Sequence, residues 1–277
     1  MPPHEVLVGN GPVQIAVTDH HGSGPSLLLL HGLGMSRRSL RPLADRLEGW
    51  RVISMDLRGH GDSTTARWGF PEAISDVRAV IERFALERPY LAGHSLGGML
   101  ALRCAIAGLP VAGIVNIDGW GPGISNRYLG ENAAQTEHHL QRLASGHLPG
   151  HGTAVVTKRT RQWREGTTQQ VLRALHQADV VAWHRAAPCP SLAVFATRPT
   201  GRAERWLIGA EAARMQDAHR RGLRRDLAAL GAERSQVRVV EFDANHGLIR
   251  THPDPLAAAI HAFRDAPLEP SLPGTAT

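Results

Sequence analysis

The hydrophobic pattern of this chain consists of short apolar runs separated by longer segments of mixed polarity. Six runs are bounded by glycine, proline or polar residues and predict buried strands; they cover residues 26–30, 51–55, 89–92, 111–117, 191–196 and 237–242. Residues 96–107 form a longer apolar stretch that predicts a largely buried helix. Strands that alternate with helices predict an α/β fold with a mostly parallel central sheet flanked by helices. The 277 residues are enough for one large hydrophobic core.

One segment, residues 120–187, interrupts the alternation. It contains no convincing strand and is rich in polar and helix-forming residues, so it predicts a helical insertion. The predicted organisation is a core made of residues 1–119 and 188–265 with this insertion between its two parts. Residues 266–277 are rich in proline, glycine and threonine, which predicts a disordered tail.

Residues 93–97 read Gly-His-Ser-Leu-Gly and stand between a predicted strand and a predicted helix. A serine at such a junction adopts a strained backbone that exposes its hydroxyl, and the flanking glycines avoid collisions across the sharp bend. Ser95 is therefore the candidate nucleophile. A glycine-rich loop without chemistry has the same composition, and the five-residue pattern taken alone does not exclude it.

From about residue 13 to residue 264 the chain resembles the α/β-hydrolase superfamily, in which a strand, a sharp turn and a helix surround the nucleophile. The segment His31-Gly32-Leu33-Gly34 resembles the oxyanion loop of that superfamily. The resemblance implies that the backbone amides of Leu33 and Leu96 stabilise a developing oxyanion. Residues 243–248 resemble the loop of the catalytic histidine, which implies that His246 is the general base.

Another segment, residues 56–63, is similar to the loop after the fourth strand in many members of the superfamily. Its Asp56 and His60 suggest a catalytic pair at first sight. Residues of such loops, however, usually hold the turn through hydrogen bonds. We therefore expect a structural role for them and assign them no chemistry.

The carboxylate that would orient His246 has two candidate positions. Most members of the superfamily place it after the seventh strand, but residues 197–203 carry no carboxylate and the first one is Glu204. Some lactonases and dehalogenases place it after the sixth strand, where this chain has Asp118. Asp118 keeps the chain order serine, aspartate, histidine, and it is the predicted acid. Glu204 remains an alternative, as does an ordinary Asx turn at Asp118.

Hydrolases of this fold insert a helical cap between the sixth and seventh strands, so the resemblance makes residues 120–187 a cap over Ser95. Four of the six tryptophans lie in this segment or soon after it, namely Trp120, Trp163, Trp183 and Trp206. They imply a pocket for an aromatic or large apolar group, although packing of the cap onto the sheet explains them equally well. The predicted pocket residues are Gly32, His94, Trp120 and Trp183.

The charge and the remaining composition add little to this interpretation. The formal net charge is +6, but the short basic runs lack a nucleic-acid-binding motif and fit the solvated face of a helix. The sequence has no apolar run long enough to cross a membrane and no signal-peptide pattern at its start. The 2 cysteines indicate no disulfide framework, and the 16 histidines show no metal-binding spacing. We expect a cytoplasmic protein without metal or cofactor that acts on a small molecule.

Together these residues imply a serine hydrolase that cleaves a carboxylic ester, lactone or thioester through an acyl-enzyme on Ser95. A serine nucleophile argues against halide or epoxide chemistry, which in this fold needs a carboxylate at that position. Acyl transfer and carbon-carbon bond cleavage by the same triad stay open. A ligand-binding protein of the same fold without turnover is the alternative from a different class, since fold does not fix function.

Overall fold

The computed structural model describes residues 3–121, 167–175, 178–198 and 210–265. Within them eight strands form one sheet in the order β1-β2-β4-β3-β5-β6-β7-β8. β2 is antiparallel to β1 and β4, whereas β3 to β8 pair in parallel. The strands are β1 His4–Asn10, β2 Val13–Asp19, β3 Ser26–Leu30, β4 Arg51–Met55, β5 Tyr90–His94, β6 Gly113–Ile117, β7 Ser191–Ala196 and β8 Val237–Phe242. The predicted mostly parallel sheet is confirmed.

Helices cover both faces of this sheet. Those in the described residues are α1 Arg41–Ala44, α2 Phe70–Arg83, α3 Leu96–Ile106, α4 Thr167–Leu175, α5 Val180–Ala186, α6 Ala210–Glu233, α7 Leu248–Thr251 and α8 Pro253–Asp265. In β3, Leu28 and Leu30 join the hydrophobic cluster that includes α2, α3 and α6. Leu27 and Leu29 face the opposite side and join the cluster that includes α1 and α8. Burial on both faces explains why the parallel strands appear in the sequence as continuous apolar runs.

Three parts of the sheet differ from the prediction. β6 was predicted over residues 111–117 but begins at Gly113. β5 continues through Gly93 and His94, because these residues still pair with β6 at Asn116 and Ile117. The β1–β2 hairpin lies outside the predicted runs, and its signal in the sequence is Gly11, whose φ of 59° suits the tight turn between the strands.

The predicted insertion falls only partly on described residues. Of residues 120–187 the structure describes 120–121, 167–175 and 178–187, which contain α4 and α5. Residues 122–166 and the predicted tail at 266–277 lie outside the described residues. The division of the chain into a core and a cap therefore stays a prediction.

Buried polar contacts hold the loop after β4. The carboxylate of Asp56 is buried and accepts hydrogen bonds from the backbone amides of Arg37 and Asp62 at 2.6 and 2.8 Å. It also pairs with the Arg37 guanidinium. His60 Nδ1 lies 3.0 Å from the carbonyl oxygen of Arg58. The structural role predicted for Asp56 and His60 is thus confirmed.

A buried ion pair between Arg58 and Asp76 ties this loop to α2. Arg58 Nε and Nη2 donate to the two carboxylate oxygens of Asp76 at 2.6 and 2.7 Å, and both residues are buried. Asp76→Ala leaves the guanidinium buried without its counter-charge, so we expect the free energy of unfolding to fall by about 3–5 kcal/mol. Chemical denaturation followed by circular dichroism measures this change. The control is Asp45→Ala, which removes the partner of the exposed Arg41 and should leave the midpoint unchanged. Similar midpoints for Asp76→Ala and the wild type would contradict the prediction.

Candidate active site

Ser95 occupies the turn between β5 and α3 in a backbone conformation that residues with a side chain rarely adopt. Its φ and ψ are 54° and −118°, outside the favoured regions for a residue with a Cβ. Backbone hydrogen bonds maintain this strained geometry. The Ser95 amide donates to the carbonyl oxygen of Ile117 at 2.9 Å, and the Ser95 carbonyl accepts from the amides of Gly98 and Met99 at 3.0 and 3.2 Å.

The glycines around Ser95 are required by close backbone approaches. A Cβ on Gly93 would overlap the carbonyl group of Gly97, and a Cβ on Gly97 would overlap the carbonyl oxygen of Leu30 in β3. The spacing of glycine, serine and glycine in residues 93–97 therefore has a steric cause in this structure, as the sequence pattern predicts.

The loop after β3 passes next to Ser95. A Cβ at Gly32 would lie 3.2 Å from the Cβ of Ser95 and 3.0 Å from Nδ1 of His94. His31 anchors the loop, because its Nδ1 donates to the carbonyl of Gly32 at 2.7 Å while its Nε2 accepts from the amide of Leu57 at 3.0 Å. Burial lowers the pKa of His31 to about 3, which keeps the neutral ring that this pair of bonds needs.

The two predicted oxyanion donors flank the serine. Leu33 follows Gly32 in the loop, and Leu96 is the first residue of α3. Within the described part of the chain, neither amide donates a backbone hydrogen bond. An amide at the first position of a helix has no partner within the helix. Their role as oxyanion donors stays a prediction, and the missing backbone partners are compatible with it.

His246 and Asp118 meet at the carboxyl end of the sheet. His246 lies in the loop after β8 and Asp118 directly follows β6, yet His246 Nδ1 is 2.7 Å from Asp118 Oδ2. The Asp118 side chain is fully buried, whereas that of His246 is 46% exposed. A carboxylate held at Nδ1 keeps the proton on that nitrogen, so Nε2 is left to accept one.

The surroundings of Asp118 keep it ionised. Burial alone raises the pKa of this carboxyl, but the hydrogen bond from His246 and the positive charges of His246 and Arg220 lower it more strongly. The amide of Ala196 also donates to Oδ1 at 3.0 Å. The net result is a pKa of about 2, so Asp118 is a carboxylate at neutral pH.

A chain of buried polar groups fixes the turn that carries Asp118, whose own φ is 51°. Asn116 bonds both backbone groups of Gly119: its Oδ1 accepts from the amide at 3.0 Å and its Nδ2 donates to the carbonyl at 3.1 Å. Asn116 Nδ2 also donates to His184 Nε2 at 3.1 Å, and His184 Nδ1 donates to Ser191 Oγ at 2.9 Å. Burial lowers the pKa of His184 to about 3, so the ring stays neutral. Sequence reasoning missed these groups, and the available signal was an asparagine inside a buried strand.

His94, a predicted pocket residue, packs under His246. The two rings are 4.7 Å apart between centroids, and His94 Nε2 donates to the carbonyl oxygen of His246 at 2.8 Å. Burial, and then the charge of His246, lower the pKa of His94 to about 4. The neutral ring of His94 thus links the turn of Ser95 to the loop of His246.

Ser95 Oγ itself makes no hydrogen bond within the described residues. Contacts between a nucleophile and its base are often long until substrate binds, so this geometry is compatible with a triad. Ser95 is partly exposed, as a nucleophile that meets a substrate must be.

The two predicted tryptophans that the structure describes have different surroundings. Trp120 is buried two residues after Asp118, and its ring lies 5.5 Å from that of His184 and 6.3 Å from that of Phe195. Trp183 packs edge-on against Phe70, with the guanidinium of Arg103 5.2 Å from its ring. Arg103 is in the last turn of α3, at the opposite end of that helix from Ser95, so these contacts do not place Trp183 beside the serine. Trp163, Trp206 and Glu204 lie outside the described residues.

Residues 3–121, 167–175, 178–198 and 210–265 contain no helix long and apolar enough to span a bilayer and no group of three metal-ligating side chains.

Comparison with known proteins gives consistent matches. The profile of the alpha/beta hydrolase family matches residues 27–259. Over 104 residues the chain is 36% identical to 2-succinyl-6-hydroxy-2,4-cyclohexadiene-1-carboxylate synthase of Salmonella heidelberg (strain SL476). This match covers 37% of the chain and 41% of that protein, so the chain spans about two fifths of the length of this curated relative.

Solved structures share the fold over nearly the whole chain. The crystal structure of E-2-(acetamidomethylene)succinate hydrolase matches with a TM-score of 0.67 and 23% identity, covering 95% of this chain and 100% of that one. The enol-lactonase of Burkholderia xenovorans LB400 matches with a TM-score of 0.63 and 16% identity, covering 94% and 100%. The family profile, which spans well over half of the chain, and the eight-stranded sheet agree. The chain therefore belongs to the α/β hydrolase family of enzymes.

Proposed function

We propose that the protein is a serine hydrolase that cleaves a carboxylic ester, lactone or thioester of a small molecule. The proposal is carried by the 2.7 Å contact between His246 Nδ1 and Asp118 Oδ2. A serine hydroxyl is a weak nucleophile at neutral pH, and it needs a base that a third group orients. Ser95 stands in the strained turn that presents such a hydroxyl.

In the proposed reaction, Ser95 Oγ attacks the carbonyl carbon of the substrate and His246 Nε2 takes the hydroxyl proton. Asp118 holds the proton on Nδ1 and stabilises the imidazolium that forms. The amides of Leu33 and Leu96 bind the negative oxygen of the tetrahedral intermediate. His246 then gives its proton to the leaving group, and water attacks the acyl-enzyme with the same histidine as base.

We propose that the substrate carries an apolar or aromatic group. Near the serine, Met35 Sδ would lie 3.3 Å from a Cβ at Gly32, and Met99 Cε would lie 3.7 Å from one at Gly121. Methionine side chains adapt to irregular apolar ligands. Substrates with acidic groups should also be tested, since two of the similar proteins are named as a carboxylate synthase and a succinate hydrolase.

A second candidate is bond cleavage other than ester hydrolysis by the same three residues. The observation in its favour is that the curated relative is named a synthase and not a hydrolase. In that reaction His246 would act as the base on a carbon acid or hydroxyl of the substrate, and no acyl-enzyme on Ser95 would accumulate.

We also propose the cytoplasm as the compartment. Cys104 and Cys189 are both free and buried, which agrees with a reducing environment. Burial raises the pKa of the Cys189 thiol to about 11, so the thiol stays protonated.

The test combines a fluorophosphonate probe with a panel of p-nitrophenyl esters, thioesters, aromatic and aliphatic lactones, and acidic variants of each. Peptide mass spectrometry locates the probe, and a burst of phenolate reports the acyl-enzyme. We expect a probe adduct on Ser95 that a good substrate prevents, and turnover of at least one class. Heat-denatured protein is the control for non-specific labelling.

Labelling at Ser95 without release from any ester, thioester or lactone would favour the second candidate. Absence of labelling together with absence of turnover would contradict the proposed serine chemistry.

A further inference from the structure

A single arginine from α6 reaches the site at the end of β7. Arg220 donates through Nη2 to the carbonyl oxygen of Ala196, the last residue of that strand, and lies 3.3 Å from Asp118 Oδ1. Its guanidinium carbon is 4.9 Å from the centre of the Phe195 ring. The Arg220 side chain is only 21% exposed. A backbone carbonyl, a carboxylate and an aromatic ring thus contact the guanidinium, and its side chain is mostly buried.

The cation lies next to the loop in which most members of the superfamily carry the acid and in which residues 197–203 of this chain have no carboxylate. Ala196, the last residue of β7, donates its amide to Asp118 Oδ1, and its carbonyl oxygen accepts from Arg220. The two carboxylate oxygens of Asp118 therefore contact different groups. Oδ2 contacts His246, whereas Oδ1 contacts the Ala196 amide and Arg220.

We propose that Arg220 is a positioning residue for the proposed triad: it fixes Asp118 through Oδ1 and partly offsets its charge, and thereby sets how readily His246 is protonated. This inference rests on the proposed function of Ser95, His246 and Asp118. Arg220 touches no reacting atom in this scheme and acts through Asp118 alone.

The sign of the effect follows from the charges around His246. Asp118 stabilises the imidazolium, and the positive charge of Arg220 weakens that stabilisation. Of the described groups, the neutral His94 packs below the His246 ring, and the exposed Arg198–Asp243 ion pair on the loops after β7 and β8 carries no net charge. Arg220 is a cation that contacts the carboxylate of Asp118 itself. Without it, His246 should hold its proton to a higher pH.

The experiment compares Arg220→Met, Arg220→Lys and Arg221→Met. Arg221 is the next residue of α6 and is exposed, so its variant is the matched control. Nitrogen-detected NMR of histidine-labelled protein gives the titration midpoint of His246, assigned with His246→Gln. The acid limb of the pH profile of kcat/KM gives the same midpoint from catalysis.

We expect the His246 midpoint to rise by about 0.5–1 pH unit in Arg220→Met, the size of the interaction between two charges several ångströms apart when water screens most of it, as at the half-exposed His246. Arg220→Lys keeps the charge and should restore most of the wild-type midpoint, and Arg221→Met should leave it unchanged. If Arg220→Met and Arg221→Met share the wild-type midpoint, the inference is wrong and Arg220 serves packing alone. If Arg220→Met does not fold, Arg220→Gln, which removes the charge but keeps a polar side chain, takes its place: a higher midpoint than the wild type supports the inference, and the wild-type midpoint overturns it.

The NMR titration needs no substrate. A protein that shows the shift but no labelling of Ser95 would keep the inference about charge and contradict the proposed function. Labelling of Ser95 without the shift would support the proposed function and contradict the inference about Arg220.

Discussion

Ser95→Ala should reduce turnover of any substrate found for this protein by about 10⁵–10⁶-fold in kcat, the loss typical when a triad nucleophile is removed. The effect is large because no other group can form the acyl-enzyme. Substrate binding should persist, because the pocket and the two oxyanion amides do not depend on the hydroxyl. Single-turnover kinetics and equilibrium binding, measured on the same preparation, separate the two quantities.

The matched control is Ser235→Ala, an exposed serine in the turn before β8, for which wild-type turnover is expected. Thermal unfolding of both variants checks that the fold is intact. Ser95 is held in place by its backbone bonds and not by its hydroxyl, and alanine keeps the same Cβ, so the melting temperature should stay close to that of the wild type. Retention of turnover in a folded Ser95→Ala would contradict the proposed mechanism directly.

Asp118→Asn should lower kcat by about 10⁴-fold. The two side chains have nearly the same shape, but the amide has one donor group where the carboxylate has only acceptors. If the amide N–H turns toward His246 Nδ1, that nitrogen must accept, the proton moves to Nε2, and His246 cannot take the proton of Ser95. Steady-state kinetics across a pH series measures the loss, and melting curves show whether the variant is folded.

The control for this experiment is Glu204→Gln, because Glu204 is the other carboxylate that the sequence offers. Unchanged turnover is expected for it. The assignment of Asp118 would be reversed if Glu204→Gln lost turnover while Asp118→Asn kept it. The hydrogen bond from the Ala196 amide is retained by an asparagine oxygen, so a loss in Asp118→Asn would reflect charge and tautomer and not collapse of the turn.

Most of the sheet could be predicted from the sequence. β3, β4, β7 and β8 have the bounds of the predicted runs. The first three are buried on both faces and are therefore largely apolar, with a polar or glycine-rich segment at the end, whereas β8 is a partly exposed edge strand that is still rich in β-branched residues. β5 was predicted too short, since Gly93 and His94 look like a turn until β6 is seen to pair with them. The exposed β1 has no apolar run, and the sequence pattern did not indicate it.

The candidate site could be predicted only in part. Ser95 and its glycines form a local pattern, and the loop of His246 could be placed because it follows a buried strand. The polar chain Asn116–His184–Ser191 and the contact of Arg220 could not be predicted, because their members are 68, 7 and 102 residues apart in sequence. The packing of the His94 ring under His246 could not be predicted either, since the two residues are far apart in sequence, and the prediction of His94 as a pocket residue stays a prediction.

The sequence by itself determined the class of fold, the order of the strands along the chain and the sharp turn at Ser95, because each depends on hydrophobic periodicity or on steric limits within a few residues. The tertiary structure decided that Asp118 and His246 are in contact, and that a buried asparagine and a neutral histidine hold the turn of Asp118. It also decided that Arg220 contacts the second oxygen of the Asp118 carboxylate. The reason is physical: which strand ends lie side by side is set by the packing of the whole sheet and its helices, and the charge of a buried group depends on every neighbour that this packing supplies.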